Sequence, residues 1–448
     1  MKEIIIIPGC TDLNRGDQAL VWETAELIKA VNSDTNFTVL ESGTNPEDIE
    51  LQSRQTKKLG YTILPKILRH PSRISNTKTK KSIKYTKVDY VLWGFQSVVD
   101  LVYTSALLSQ FSVINNFGKL FLSASQKESL KRFQEAELIA VKGGGFIHAY
   151  GRASDFYTMY FSLYHILLAH RYKKNVIVFP NSIGPVKGYF TRKLVKYVLG
   201  NCKLVTVREQ VSLNYVQENL KIKAKLYPDL GFYLKNTATE GRKYLLDKQV
   251  PLDSKKTVGI TLRPYRFPNS QDPEQRYNEY IAEIQEFVKL AIENNYHPIF
   301  FAHTLGPGSH EDDRLAIADV RKRLDQNLLQ NTSYIEDFDL NCVNIMDLYS
   351  QLDFMVGTRF HSVIFALNVN VPSIAIAYGG NKSFGIMNDM KLPEFVYPIE
   401  KFSGKTLYSL MESGIENKQI YLNKIKDYRV YLDAIYSEFI EDVRRIQE

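Results

Sequence analysis

The sequence predicts an α/β protein made of two Rossmann-like domains facing across a cleft. Three observations carry this expectation. Apolar runs of strand length alternate with amphipathic helical stretches, the pattern of parallel βα units. The alternation lapses once, in the charged stretch Lys235 to Lys256, and then resumes. Finally, 448 residues are too many for one ordinary core and enough for two. The expected domains are residues 1–235, with an insertion at about 60–130, and residues 250–448.

Taken in order, residues 3–8 read as a short buried strand, and Gly9 to Arg15 as a polar loop. Leu20, Ala25, Leu27, Ile28 and Val31 share a helical face, and Asn36 to Leu40 begin a second strand. The unit recurs as strand Ala136–Val141, helix Phe156–Tyr172, strand Asn175–Phe179, a helix ended by Gly200, and strand Leu204–Val207. The second half repeats it: strand Thr257–Leu262, helix Tyr277–Asn294, strand His297–Ala302, strand Asp353–Val356, helix His361–Asn368 and strand Ser373–Ala377. A helical tract runs from about Glu416 to the end. Residues 60–130 fit the alternation poorly. Their apolar stretch Val88 to Leu122 reads as a helical insertion packed on the first domain, or as an interfacial membrane element.

Composition excludes several classes. Cys10, Cys202 and Cys342 are too few and too widely spaced for a disulfide framework or a zinc site, which fits a reducing cytoplasm. The apolar run at the N-terminus is too short for a signal peptide, and no stretch reads as a membrane span. The net charge of +8 resides in one place: eight basic and no acidic residues lie between Lys66 and Lys87. The remaining 49 basic residues balance 49 acidic ones, so the charge is a local patch and not a nucleic-acid-binding surface. That patch reads either as a solvated loop or as a peripheral contact with the inner membrane surface.

Ligands of such sheets sit at the carboxyl ends of strands, so residues just after strands are the candidates. Asn14 and Gly16 suit a tight turn, and Asp17 can cap the following helix. Lys142 precedes the Gly143-Gly144-Gly145 turn, where a ligand can approach the backbone closely. Ser182 lies in Asn181-Ser182-Ile183-Gly184-Pro185. Arg208 and Arg263 leave strands as forks for a carboxylate or phosphate, with a salt bridge to Glu209 or another local acid as the alternative for Arg208. Gly357-Thr358-Arg359-Phe360-His361-Ser362 is the most informative segment. There an Arg, a His and a helix N-terminus converge as a site for a small multiply charged anion. His303, Glu311, Asp312 and Asp313 imitate a metal cluster but read as a solvated helix start.

The ordered set of Asn14-Arg15-Gly16-Asp17, the triple glycine, Ser182-Ile183-Gly184-Pro185, Thr206-Val207-Arg208-Glu209, Pro228-Asp229, Gly357 to Ser362 and Val371-Pro372 resembles the polysaccharide pyruvyl transferase family. The family's usual Gln-Ser-Ile-Gly-Pro stands here as Asn181 to Pro185, and its Arg-Asp as Arg208-Glu209; the insertion at 60–130 is not covered. The resemblance implies a fold similar to glycosyltransferase type B. It also implies phosphoenolpyruvate as donor, with Arg208, Arg359 and His361 matching the donor-binding motifs.

Phosphoenolpyruvate carries a carboxylate and a phosphate, so Arg208 and Arg359 are expected to clamp it across the cleft. His361 is the expected general acid–base group, because histidine titrates near neutral pH. Asp17 is the second candidate, as base for the acceptor hydroxyl. Asn14, Lys142, Gly144, Gly145, Ser182, Arg263 and Ser362 complete the expected binding set. No metal or cofactor is required beyond phosphoenolpyruvate as co-substrate. The expected partners are that donor and a saccharide acceptor, free or lipid-linked, with no nucleic acid. The expected location is the cytoplasm, with a peripheral contact at the membrane face as the further reading. The competing function is a glycosyltransferase that uses a nucleotide-sugar donor on the same fold.

Overall fold

Two parallel sheets, both wound in the Rossmann order, organise the chain. The computed structural model describes residues 2–43, 45–74, 87–379, 382–401 and 403–447. It divides into two compact units: unit 1 is Met1–Asp12, Leu20–Leu230 and Ile435–Glu448, and unit 2 is Leu13–Ala19 and Gly231–Ala434.

The strands of unit 1 are β1 (Lys2–Ile7), β2 (Thr35–Leu40), β3 (Thr62–Leu64), β4 (Leu138–Val141), β5 (Gly144–Ala149), β6 (Asn175–Val186), β7 (Leu204–Val207) and β8 (Lys225–Leu226). Their order is β3-β2-β1-β4-β6-β7-β8, and β5 pairs with β6 off that path. Unit 2 holds β9 (Lys256–Thr261), β10 (Tyr296–Phe301), β11 (Ser333–Ile335), β12 (Phe354–Gly357), β13 (Ser373–Ala377) and β14 (Val396–Pro398), in the order β11-β10-β9-β12-β13-β14. Ile4 to Ile7 of β1 and Phe354 to Val356 of β12 are all buried, as expected of parallel strands covered on both faces.

The helices up to β8 are α1 (Arg15–Val31), α2 (Pro46–Leu51), α3 (Arg54–Lys58), α4 (Lys87–Leu108), α5 (Ser112–Lys119), α6 (Ala124–Glu135), α7 (Asp155–Arg171), α8 (Tyr189–Gly200) and α9 (Gln210–Tyr215). After β8 come α10 (Gly241–Asp247), α11 (Pro273–Glu293), α12 (Asp313–Arg321), α13 (Gln326–Gln330), α14 (Cys342–Tyr349), α15 (Phe360–Asn368), α16 (Lys382–Asp389), α17 (Gly404–Glu416) and α18 (Lys418–Gln447).

Several expectations change. The units part at Leu230/Gly231, and the charged stretch Lys235 to Lys256 contains α10, anchored in unit 2 by Gly241 N donating to Asp347 at 2.6 Å. Residues 13–19 belong to unit 2 and not to the first domain. The reason is Arg15, which is buried and donates to the carbonyls of Asp337 (2.7 Å), Leu340 (3.1 Å) and Ala302 (3.4 Å). The end of α18 returns to unit 1, where Phe439 stacks on Tyr227 with ring centroids 4.2 Å apart.

Strand β6 continues to Val186, past the expected end at Phe179. The glycine turn accounts for this: Gly144, at φ 157°, restarts the chain as β5, which pairs with β6 from Asn181 onward. Within the 60–130 segment, Thr62–Leu64 joins the sheet as β3, and the described residues from Lys87 onward are mainly helical, as expected of an insertion packed on the first domain. The basic patch is only partly where a solvated loop would put it. Arg73 pairs with the fully buried Asp100, and Lys66 packs against Gly9. Lys78, Lys80, Lys81 and Lys84 lie outside the described residues.

Candidate functional site

In unit 2 the sheet order reverses between β9 and β12, which pair with Thr261 opposite Gly357. At such a point the crossover helices diverge to opposite faces and leave a crevice beyond the strand ends. Arg263 follows β9, His303 follows β10 and Arg359 follows β12, so three of the cationic or basic side chains of this unit emerge there.

The turn after β12 is tightly built. A side chain at Gly357 would come within 2.6 Å of Val363 and 2.8 Å of Ser362, so only glycine fits. Ser362 is fully buried; its hydroxyl donates to the Arg359 carbonyl at 2.6 Å and lies 2.8 Å from Thr261 Oγ1. Ser362 therefore supports the turn from below, which corrects its expected role as a substrate contact.

Arg359 occupies the N-cap position of α15, and its guanidinium is neutralised. Nε donates to Asp313 at 2.8 Å and Nη1 to Glu311 at 3.1 Å. The two carboxylates hold the guanidinium well above its ordinary pKa against the opposing effect of burial. Burial pushes the Asp313 carboxyl up to about 6, although Arg359 and the Thr304 amide both favour its ionised form. The expected solvated helix start is thus corrected. Asp313 is fully buried, and Asp312 caps α12 while pairing with Arg314 at 2.8 Å.

His361 is the second residue of the same helix and packs on α1 at Gly16. A Cβ at Gly16 would stand 2.0 Å from His361 Nδ1, so the imidazole occupies the space that any side chain there would need. Gly16 is consequently a helix residue pressed against a histidine, not a turn residue. On the other ring edge Lys382 Nζ donates to His361 Nε2 at 3.2 Å. Asn14, rather than Asp17, caps α1: its Oδ1 accepts from the Asp17 amide at 3.3 Å, and its Nδ2 donates to the Asp17 carboxylate at 3.1 Å. Asp17 is half-buried and adjacent in sequence to the glycine that touches His361.

Two further side chains complete the site. His303 is buried, with Nδ1 3.1 Å from Tyr349 Oη and Nε2 without a hydrogen-bond partner. Burial, reinforced by the charges of His361, Arg15, Arg359 and Lys382, holds it well below the ordinary histidine range, so it is neutral at pH 7. The Arg263 guanidinium lies 4.1 Å from the Tyr378 ring centre and 3.7 Å from Glu311, and its Nε is unpartnered. Arg263 is therefore less neutralised than Arg359.

Unit 1 assembles a separate cluster. Arg208 Nη1 donates to the fully buried Asp229 at 2.7 Å and Nε to Ser182 at 2.8 Å, and the Ser182 hydroxyl donates to Glu209 at 3.0 Å. Gly145 admits the guanidinium, since a Cβ there would lie 3.1 Å from Nη2. The local-acid alternative for Arg208 thus holds, with Asp229 and not Glu209 as the close partner. Lys142 is buried at the end of β4; together with burial, its charge lowers the Lys66 amine to about 8.

The predicted residues therefore gather in two groups: Asn14, Asp17, Arg263, Arg359, His361 and Ser362 in unit 2, and Lys142, Gly144, Gly145, Ser182 and Arg208 in unit 1. Lys382 and His303 were missed as site residues. Lys382 follows the exit of β13 through Gly379, so the strand-exit argument applied to β13 would have found it.

The family model for polysaccharide pyruvyl transferase matches residues 14–380. The amylovoran biosynthesis protein AmsJ of Erwinia amylovora is 24% identical over 426 residues, covering 93% of this chain and 92% of that protein. Among solved structures, sucrose-phosphate synthase from Thermosynechococcus elongatus superposes with a TM-score of 0.56 at 14% identity, covering 98% of this chain and 96% of that one. The UDP-GlcNAc 2-epimerase from Neisseria meningitidis gives 0.56 at 12% identity, covering 95% and 94%. These similarities show the fold, two Rossmann-like domains of the glycosyltransferase type B kind.

Proposed function

We propose that this chain, which belongs to the polysaccharide pyruvyl transferase family, moves the pyruvyl group of phosphoenolpyruvate onto two hydroxyls of a saccharide in exopolysaccharide biosynthesis. The observation that carries the proposal is the grouping of His361, Lys382, Arg263 and Arg359 at the crevice of unit 2, which sets a histidine beside Lys382 and near two arginines that share Glu311.

In this reading Arg263 and Lys382 take the carboxylate and phosphate of the donor, and Arg359 joins them when Glu311, which is partly exposed, moves aside. His361 delivers a proton to the methylene carbon, which becomes a methyl group and leaves C2 electrophilic. One sugar hydroxyl adds to C2, the C2–O bond to phosphate breaks, and a second hydroxyl closes the ketal. The two hydroxyl protons balance the proton given to carbon and the one leaving with phosphate. Asp17 accepts the acceptor proton, and Lys382, whose Nζ lies 3.2 Å from His361 Nε2, holds the ring until the donor phosphate draws the ammonium away and frees Nε2 to carry the proton. The cations are all side chains, so the scheme uses no metal or cofactor. The acceptor is a polysaccharide or its precursor, free or lipid-linked.

The test is product release from two donors. Purified chain with an acceptor extract should liberate phosphate from phosphoenolpyruvate and add a pyruvate ketal to the saccharide. Liberation of nucleotide from a sugar nucleotide, with no reaction of phosphoenolpyruvate, would instead establish the glycosyltransferase alternative.

A further inference from the structure

Helix α4 is apolar on the side that faces away from the protein. Val88, Val91, Phe95, Val98 and Val102, spaced alternately three and four apart, form one stripe and are each between 54% and 71% exposed. The opposite side, with Asp100, Tyr103, Thr104 and Leu107, is buried. Helix α5 repeats the pattern, with Val113 81% and Phe117 47% exposed while Asn115 and Gly118 are buried. Among the described residues, 13 of the 25 exposed large hydrophobics lie between Val88 and Phe121. Isolated exposed apolar residues need no explanation, but two adjacent helices with apolar outer stripes mark a docking surface.

Charge selects the occupant. The chain entering α4 carries Lys78, Lys80, Lys81, Lys84 and Lys87 without an acidic residue, and Lys119 ends α5. Of the two acids in residues 66–127, Asp100 is already neutralised by Arg73. A second copy of the chain would bring two such cationic segments together, whereas an anionic lipid surface offers both the apolar layer and the countercharge.

Val88–Leu108 is long and apolar enough to cross a membrane by length and composition. Its inner side is nevertheless committed to unit 1. Arg73 holds Asp100, Thr104 Oγ1 lies 2.9 Å from Tyr160 Oη, and Tyr103 donates to the Ile67 carbonyl at 3.2 Å. Spanning would strip these contacts and place a carboxylate in hydrocarbon. We propose that α4 and α5 lie flat on an anionic membrane surface, with their apolar stripes in the headgroup–acyl boundary and the net positive charge of this part of the sequence adding attraction to the lipid phosphates. This does not depend on the donor chemistry.

The experiment is co-sedimentation of the full chain with phosphatidylglycerol/phosphatidylethanolamine vesicles and with neutral phosphatidylcholine vesicles, at low and high salt. Wild type should partition onto the anionic vesicles at least tenfold more than onto the neutral ones. The triple variant Val91→Ser/Phe95→Ser/Val98→Ser should lose at least tenfold, with an unchanged melting temperature because its sites are solvent-exposed. Trp93, on the same helix, offers a check that needs no variant: brominated lipid should quench its emission on binding, whereas the second tryptophan, Trp22, is buried. Equal sedimentation of wild type and triple variant would overturn the proposal, as would no sedimentation of wild type at low salt. Resistance to alkaline carbonate extraction would show a spanning helix instead. A wild-type dimer that the triple variant renders monomeric, without vesicle binding, would show that the face belongs to a second copy.

Discussion

Gly16 and His361 are separated by 345 positions and are in contact, the glycine leaving the space in which the imidazole Nδ1 sits, 2.0 Å from where a Cβ would be. The contact joins the Asn14-Arg15-Gly16-Asp17 motif to the Arg359-Phe360-His361 motif within unit 2. It also explains a glycine in the first turn of a helix, where its backbone freedom is a disadvantage of roughly 1 kcal/mol relative to alanine.

Gly16→Ala should therefore leave the helix intact and displace the imidazole. A shift of about 1 Å at a catalytic group can lower turnover about 100-fold. The check is kcat together with melting temperature, in the wild-type and His361→Gly backgrounds, the second removing the His361 Cβ as well, which would stand 2.6 Å from the new methyl group. In the second background the substitution should be neutral or slightly stabilising; destabilisation there would mean that the glycine serves something other than His361.

His361→Gln should retain donor binding and lose turnover by about 100- to 10,000-fold, as expected when a general acid–base group is removed without its surroundings. Calorimetry with phosphoenolpyruvate and a phosphate-release assay at saturating donor separate the two quantities. Near-normal turnover would remove His361 from the chemistry.

Arg359→Ala would leave Asp313 without its counter-ion, while Glu311 keeps Arg263 at 3.7 Å. Because Asp313 is fully buried, the substitution should lower stability by about 3–5 kcal/mol as well as weaken donor binding. The double substitution Arg359→Met/Asp313→Leu should regain most of the stability and none of the binding. Denaturant unfolding and calorimetry on both variants provide the test, and a single variant as stable as wild type would contradict the buried pairing.

The Asp313 carboxyl, raised to about 6, binds its proton more tightly in the folded protein than in the unfolded chain. Its contribution to stability is present in full below the unfolded value near 3.8 and is lost as pH rises through about 6. Relative to Asp313→Asn, the wild-type melting temperature should accordingly decline between pH 4 and pH 7. A flat difference across that range would show the carboxylate to be ionised throughout.

In unit 1, Arg208→Lys keeps the charge but cannot bond Ser182 and Asp229 together. Losing one charge-assisted bond over buried partners should lower stability by about 1.5–3 kcal/mol, measured by denaturant unfolding. No change would mean that the ammonium substitutes for the fork.

The alternation of strands and helices, and with it the two parallel sheets, is legible in the order of residues alone. Periodicity is local, and each buried strand declares itself in a few consecutive apolar residues such as Ile4 to Ile7. Residue order also placed Arg263, Arg359 and His361 at strand exits, because Gly357 and the apolar run before it are adjacent in the chain. The partners of these side chains emerge only from the folded chain. Arg359 shows no local sign that Asp313 neutralises it, nor His361 that Lys382 donates to it, nor Gly16 that a ring fills its missing side chain. Nor did the apolar content of α4 reveal which of its sides would be covered, since a stripe repeating every three to four residues reads the same facing a core or facing outward. Pairings across dozens to hundreds of residues leave no periodic trace. They exist only once the carboxyl ends of β9, β10, β12 and β13 have been brought side by side.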